Sequence, residues 1–109
     1  MNSRKIDLKK TGIELIAEEQ QRVREQEGFT LESDKQYKNN ELVKGAISYL
    51  RTPMYNVHIQ TGQLAPMEFP FKQEWWKPSP DDRIKELIKA GQMIASEIDK
   101  LRLEKITIL

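Results

Sequence analysis

The strongest constraint on the fold is a helix-start signal followed by a long apolar repeat in the last third of the chain. The signal is Ser79-Pro80-Asp81-Asp82, where a capping residue precedes a proline at the first helical position and two acids face the positive end of the helix dipole. The residues that then recur at helical spacing are Ile84, Leu87, Ile88, Gly91, Ile94, Ala95, Ile98 and Leu101. The pattern predicts a helix over 80–104, about 37 Å long at about 1.5 Å per residue.

Two shorter helices precede it. Thr11-Gly12-Ile13-Glu14 has the spacing of a capping box, and with Gly28 as a stop it predicts a helix over 11–27. Asn39-Asn40-Glu41 offers a cap for a helix over 39–51, which Pro53 ends at the latest. Small residues in the second and third helices, Gly45-Ala46 and Ala90-Gly91, indicate that these two helices cross closely. The fold class predicted is a small, mainly α domain of three helices.

Length and composition fit one domain over 1–109, with 1–10 flexible or loosely docked. The 109 residues are 38% hydrophobic and 32% charged, so the core is thin and we expect a homo-oligomer. The apolar tail Ile106-Thr107-Ile108-Leu109 is expected to dock on a neighbouring surface. No stretch has the length and hydropathy of a membrane span or a signal peptide, and the absence of Cys fits a reducing compartment. We therefore expect a cytoplasmic protein that does not contact membranes.

The segment over 52–78 separates the second and third helices and is unusually long for a connection in a compact domain. It carries four of the five prolines and six aromatic or imidazole rings, which disordered segments lack. Alternation over Met54 to Ile59, with a turn at Thr61-Gly62, is compatible with a short hairpin. A long connection of this composition indicates a functional segment.

The number and spacing of the residues that catalytic motifs require exclude most enzyme classes. The five glycines are scattered and form no phosphate-binding loop, and the single histidine, His58, has no cysteine or second histidine to complete a zinc site or a nucleophilic triad. All-helical magnesium-dependent nucleotide hydrolases carry Glu-x-x-Glu or Glu-x-x-Asp pairs, which this chain lacks. The nearest substitutes are Glu14, Glu18 and Glu19. We predict no catalytic residue, no metal site and no cofactor.

The binding interpretation fits more of the composition. Trp75-Trp76-Lys77-Pro78 stands directly before the third helix, so ring faces on which a base can stack lie beside a cation and the amino end of a helix. One of the two tryptophans is equally well explained as core, because adjacent residues in extended chain point in opposite directions. A formal net charge of +1 without a basic stripe argues against long nucleic acid. The candidate ligand-binding residues are Trp75, Trp76, Lys77, Arg83, Tyr37, Lys44, Arg51, Tyr55 and Phe71.

The order of features resembles a family of small phage- and prophage-encoded helical proteins over residues 13–102. The resemblance is most specific from Trp75-Trp76-Lys77-Pro78 through Arg83 to Lys89-Ala90-Gly91, and it also includes Glu27-Gly28-Phe29-Thr30 and Asn40-Glu41-Leu42. The chain departs from the family at Glu32-Ser33-Asp34, where an Asp-Asp pair is expected, and at Phe69-Pro70-Phe71, where Trp-Pro-Trp is expected. The resemblance implies a phage origin and hence the host cytoplasm. Compact phage proteins of this kind include sponges that sequester cyclic nucleotide or cyclic ADP-ribose signals of bacterial defence.

Three hypotheses follow for the function. The first is a binding protein that holds a small nucleotide-like immune signal without cleaving it. The second is an interaction module whose third helix docks on a host or phage protein. The third, which the missing carboxylate spacing disfavours, is a magnesium-dependent nucleotide hydrolase.

Overall fold

The structure is a computed structural model and describes residues 5–51, 69–79 and 81–108. Within these residues the chain is helical and has no β-strand, which confirms the predicted mainly α fold. The elements are α1 (Gly12–Gln26), α2 (Leu31–Asp34), α3 (Glu41–Arg51), a short 3-10 helix (Gln73–Trp75) and α4 (Arg83–Ile108). Helices α1, α3 and α4 are the three predicted from the sequence. The hairpin considered for residues 54–62 lies outside the described residues.

The first helix has the ends that its sequence predicts. The Thr11 hydroxyl accepts a hydrogen bond from the backbone N–H of Glu14, and the Glu14 carboxylate accepts one from the backbone N–H of Thr11. These hydrogen bonds lower the pKa of Glu14. At the other end Gly28 has a φ of 78°, a left-handed conformation, and the N–H of Phe29 donates to the carbonyl of Val23. The glycine therefore turns the chain back across the end of α1.

Helix α2 is an element that the sequence analysis missed, because its four residues are too few to show a period. The Thr30 side chain caps it by accepting a hydrogen bond from the backbone N–H of Ser33, 3.1 Å away. The short helix buries Asp34, which is 2% exposed, and brings Tyr37 to the same side of the molecule as the end of α1.

The start of α4 lies later than predicted. The carboxylate of Asp82, and not the hydroxyl of Ser79, caps the helix, since its Oδ1 accepts a hydrogen bond from the backbone N–H of Lys85. The N–H of Ser79 instead donates to the fully buried carboxylate of Glu86 at 2.8 Å, which ties the preceding segment to α4. The helix continues to Ile108, so the apolar tail extends α4, and Ile106 is 52% exposed. No helix in the described part of the chain is long and apolar enough to span a membrane.

An apolar core joins α3, α4 and the segment between them. It consists of Ala46, Tyr49, Phe69, Trp76 and Ala90. Gly45 permits this close packing, because a β-carbon there would lie 2.8 Å from Sδ of Met93 and from Cε2 of Phe71. Gly91 does not face α3, contrary to our expectation. A β-carbon there would lie 2.5 Å from Cδ1 of Ile16, so Gly91 is where α1 approaches α4.

The buried side of α4 is largely polar. Its buried side chains include Glu86, Gln92, Ser96 and Lys100. Gln20 of α1 donates hydrogen bonds to Ser96 and Asp99, at 3.3 and 3.0 Å. Lys100 pairs with Glu97 at 3.0 Å and donates a hydrogen bond to the carbonyl oxygen of Tyr37. Paired polar groups, rather than apolar packing alone, therefore attach α1 and α2 to α4.

The apolar repeat of α4 lies on its opposite side. Its large side chains, Ile84, Leu87, Ile94, Ile98 and Leu101, are between 43 and 57% exposed. Only Ile88 of the large residues in the repeat is buried. The spacing therefore predicted the helix correctly, but most of its apolar side chains do not contribute to the core of this chain.

Candidate functional site

A pocket of about 530 Å³ opens between the ends of α1 and α3 and the middle of α4. This volume lies within the range of small-molecule sites. Five parts of the chain supply the walls: α1, the stretch from Phe29 to Tyr37, α3, the segment before α4, and α4 itself. The lining residues are Glu19, Arg22, Val23, Gln26, Glu27, Phe29, Asp34, Tyr37, Leu42, Tyr49, Phe69, Phe71, Trp75, Lys77, Lys89, Gln92 and Met93.

Trp75 supplies the most exposed aromatic face of the pocket. It is 36% exposed, and the edge of Phe29 contacts it at 5.0 Å between ring centroids. Phe71 lies 6.2 Å away, tilted by 38°, and Nζ of Lys72 lies 5.4 Å from the ring centroid of Trp75. The neighbours fix the orientation of the indole while leaving part of its surface accessible, as a stacking platform requires.

Trp76 is placed differently from its neighbour. It is 8% exposed and lies in the core, stacked on Tyr49 at 4.7 Å with the edge of Phe69 at 5.1 Å. The Tyr49 hydroxyl accepts a hydrogen bond from the backbone N–H of Lys77, which holds the segment after the tryptophans in place. Burial raises the pKa of Tyr49 to about 12. The pair thus divides, with Trp76 in the core and Trp75 at the pocket.

Two lysines bring positive charge to the pocket. Nζ of Lys89 lies 5.3 Å from the ring centroid of Tyr49 and donates a hydrogen bond to the carbonyl oxygen of Lys77. Burial lowers the pKa of Lys89, since the ammonium has lost part of its hydration. The side chain of Lys77 is exposed and also lines the pocket. The lining therefore includes one partly desolvated ammonium and one exposed ammonium, and each can pair with an anionic group.

The third cation, Arg22, is already neutralised. Its guanidinium donates two hydrogen bonds to Glu19, at 2.9 and 2.7 Å, and one to Glu27 at 2.7 Å. These hydrogen bonds raise the pKa of Arg22. The cluster therefore forms a rigid polar wall with carboxylate oxygens that can accept hydrogen bonds from hydroxyl or amino groups of a ligand.

The remaining polar wall is formed by Asp34 and Tyr37. Burial raises the pKa of the Asp34 carboxyl, and the nearby Arg24 opposes this effect by pairing with it at 3.5 Å. Burial also raises the pKa of the Tyr37 hydroxyl. The ring of Tyr37 meets Phe71 edge-on at 5.3 Å, so it belongs to the same aromatic wall as Trp75.

Four of the nine candidate residues line the pocket: Tyr37, Phe71, Trp75 and Lys77. Lys44, Arg51 and Arg83 are exposed and lie outside its lining, and Arg83 donates a hydrogen bond to the carbonyl of Leu50 at 3.0 Å. Tyr55 lies outside the described residues. Sequence analysis assigned no ligand-binding role to Arg22, Phe29 and Lys89, which belong to helix faces or helix ends, and it considered Glu19 only for magnesium chemistry.

The carboxylates considered for magnesium chemistry have other partners. Glu14 caps α1, Glu18 pairs with Lys10, and Glu19 pairs with Arg22. Among the residues that the structure describes, no group of three or more His, Cys, Asp or Glu could hold a metal ion.

The arrangement can therefore hold a flat aromatic group against Trp75, an anion beside Lys77 and Lys89, and hydrogen-bond donors against Glu19 or Glu27. Comparison of the chain with family models, curated proteins and solved structures found no match in any of the three.

Proposed function

We propose that the protein binds a small nucleotide-like ligand in this pocket and sequesters it without cleaving it. The observation that carries the proposal is the exposed face of Trp75 in the same pocket as Lys77 and Lys89. A nucleotide combines a flat base with a phosphate, and each needs a different chemical partner. Stacking of a base on an aromatic ring contributes about 1–3 kcal/mol, and lysine ammonium groups pair with phosphate oxygens.

The polar wall favours a nucleotide over a simple aromatic anion. The carboxylates of Glu19 and Glu27, held by Arg22, present acceptors that suit ribose hydroxyls or exocyclic amino groups. The pocket volume of about 530 Å³ suits a ligand of nucleotide size. Tyr37 and Phe71 add apolar surface beside Trp75 for the sugar or a second base.

The biological role that we propose is inhibition of a host anti-phage defence that signals through a cyclic nucleotide or cyclic ADP-ribose. The support for it is the resemblance to small phage-encoded proteins together with a pocket that fits such a signal. A sponge needs stoichiometric, tight binding and a ligand that is released unchanged.

The direct test mixes the purified protein with cyclic and linear adenine and guanine nucleotides and with cyclic ADP-ribose. Unbound material is removed, the protein is heat-denatured, and the released compound is identified by chromatography and mass spectrometry. Recovery of one compound intact supports sequestration. A product that forms only when magnesium is present, and disappears with a chelator, supports the hydrolase alternative. An empty eluate with an unchanged panel contradicts both.

We expect Trp75→Ala to weaken binding of the recovered nucleotide by about 10- to 100-fold, because the stacking surface is lost. Lys77→Ala should weaken it by about tenfold through loss of one phosphate contact. Matched controls are Lys44→Ala and Arg83→Ala, which remove exposed cations outside the pocket lining and should leave the affinity unchanged. Isothermal titration calorimetry measures all four. Wild-type affinity in Trp75→Ala would rule out this pocket.

Binding should also weaken as the pH rises, because a phosphate is attracted to the protonated form of Lys89. Burial places the pKa of Lys89 below the ordinary value of 10.5, so its charge is lost earlier than that of an exposed lysine. We expect the dissociation constant to rise with pH as this group deprotonates, at lower pH than an exposed lysine would require. In Lys89→Met, binding should be weaker and the part of the pH dependence due to Lys89 should vanish. An identical pH profile in this variant would exclude Lys89 as the titrating group.

A further inference from the structure

The apolar face of α4 is spaced for pairing with another helix. We call Ile84, Leu87, Gly91, Ile94, Ile98 and Leu101 the α4 seam. Their intervals alternate between three and four residues, so equivalent positions recur every seven residues, as in a coiled-coil seam. The polar face of the same helix is buried against α1 and α2, whereas the large side chains of the seam are between 43 and 57% exposed. A row of this length on a surface is typical of an interaction site.

The seam is continuous even at its glycine. Ile16 of α1 lies over Gly91, where a β-carbon would be 2.5 Å from Cδ1 of Ile16. The side chain of Ile16 therefore fills the gap in the row between Leu87 and Ile94. Helices α1, α2 and α3 all contact α4, and the large side chains of the seam remain exposed beside these contacts.

We propose that the α4 seam pairs with the same seam of a second copy in antiparallel orientation, forming a two-fold dimer. The intervals are symmetric about the centre of the seam, so antiparallel pairing gives six matched layers. Ile84 packs against Leu101 of the second copy and Leu87 against Ile98. Ile94 of the second copy packs against Ile16, which covers Gly91. The residues that flank the middle of the seam are Ile88, Ala90, Ala95 and Glu97, and the carboxylate of Glu97 is already paired with Lys100 of the same chain.

Charges at the two ends fix the orientation. In the antiparallel register, Arg83 lies beside Glu104 of the second copy. Two-fold symmetry repeats this pair, which gives two opposite-charge contacts between residues that are exposed in the single chain. In a parallel pairing, Lys105 would occupy the next position of the seam after Leu101 and would face Lys105 of the second copy.

The dimer leaves the pocket accessible, because the two surfaces lie on different sides of α4. The pocket uses Lys89, Gln92 and Met93 of this helix, and none of them belongs to the seam. If the chain does not dimerise, the proposal of ligand binding is unaffected. If it does not bind a ligand, the proposal of a dimer is unaffected.

The first test is the mass of the full chain in solution by sedimentation velocity over a range of concentrations. The expected result is a dimer that Ile94→Lys converts to a monomer with an unchanged circular dichroism spectrum. The matched control is Ile47→Lys, a similarly exposed apolar residue on α3, which should remain dimeric. A wild-type monomer at the highest soluble concentration, or a dimer that survives Ile94→Lys, overturns the proposal. If the chain is a monomer that binds a different protein through the seam, the dimer proposal is also overturned, and the interaction-module hypothesis is supported.

The orientation is tested by cross-linking, which is clean here because the chain has no cysteine. Mixed Ile84→Cys and Leu101→Cys proteins should form a disulfide between the two different variants on oxidation. A parallel dimer would instead cross-link Ile84→Cys to itself, and this result, or no cross-link in a dimer, overturns the antiparallel arrangement.

Arg83→Glu should raise the dimer dissociation constant by about tenfold, and Arg83→Glu/Glu104→Arg should restore it.

Discussion

Replacing Trp76 by alanine is expected to lower the free energy of unfolding by about 3–5 kcal/mol, as is typical when a large aromatic side chain is removed from a core. Trp76 is 8% exposed, and its ring contacts Tyr49 and Phe69 at centroid distances of 4.7 and 5.1 Å. Truncation leaves a cavity between α3, α4 and the segment that joins them. The total stability of domains is about 5–15 kcal/mol, so the variant loses a large fraction of it.

The adjacent tryptophan provides the control. Trp75 is 36% exposed, and Trp75→Ala should cost less than about 2 kcal/mol while weakening ligand binding. Urea unfolding followed by circular dichroism measures both variants without relying on tryptophan fluorescence. Equal losses of stability in the two variants would contradict the division of the pair between core and pocket.

Lys100→Met should destabilise the fold by about 3–5 kcal/mol, because it leaves a carboxylate without its buried partner. The Lys100 side chain is 5% exposed, and its ammonium pairs with Glu97 at 3.0 Å and donates a hydrogen bond to the carbonyl oxygen of Tyr37. The Glu97 side chain is 12% exposed, so water can replace little of the lost interaction. The carbonyl of Tyr37 also loses a donor.

The double variant Lys100→Met/Glu97→Leu separates charge pairing from shape. Replacing a buried ion pair by apolar side chains of similar volume is often close to neutral, since neither charge then has to be desolvated. We expect the double variant to recover most of the stability lost in Lys100→Met, as measured by urea unfolding. A double variant as unstable as the single one would show that the hydrogen bond to Tyr37, rather than the ion pair, is what stabilises this region.

Local signals in the sequence were sufficient to find the three long helices α1, α3 and α4. The Thr11 capping box and Gly28 act within a few residues, and both perform in the structure the roles that their types predict. The start of α4 was predicted too early, because local signals alone could not decide between two capping residues. Ser79 and Asp82 are both residue types that cap helices well. The choice between them depends on Glu86, whose carboxylate accepts a hydrogen bond from the backbone N–H of Ser79.

The surroundings of α4 could not be predicted in this way. A repeat identifies one face of a helix, but it does not say which other element covers that face. Here the ion pair of Lys100 with Glu97 and the hydrogen bonds of Gln20 to Ser96 and Asp99 make the polar side suitable for burial. The hydrogen bonds of Gln20 join residues of α1 and α4 that are more than 70 positions apart in sequence.

The candidate site was partly predictable. Trp75 and Lys77 stand out in the sequence because large rings and a cation before a helix are uncommon. Lys89 and Arg22 look like ordinary helix-surface residues, and only the packing of α1 and α4 around Tyr49 brings them to the same pocket.

The five-part wall of the pocket has a thermodynamic consequence. Because α1, the stretch after it, α3, the segment before α4 and α4 meet only in the folded chain, a ligand that fits there binds the native state and not the unfolded one. Binding and folding are then linked, and free ligand at about 100 times its dissociation constant adds about 2.7 kcal/mol to the stability. Any compound that fits the pocket tightly therefore raises the melting temperature, so ligands can be sought without labels and without knowing their chemistry in advance.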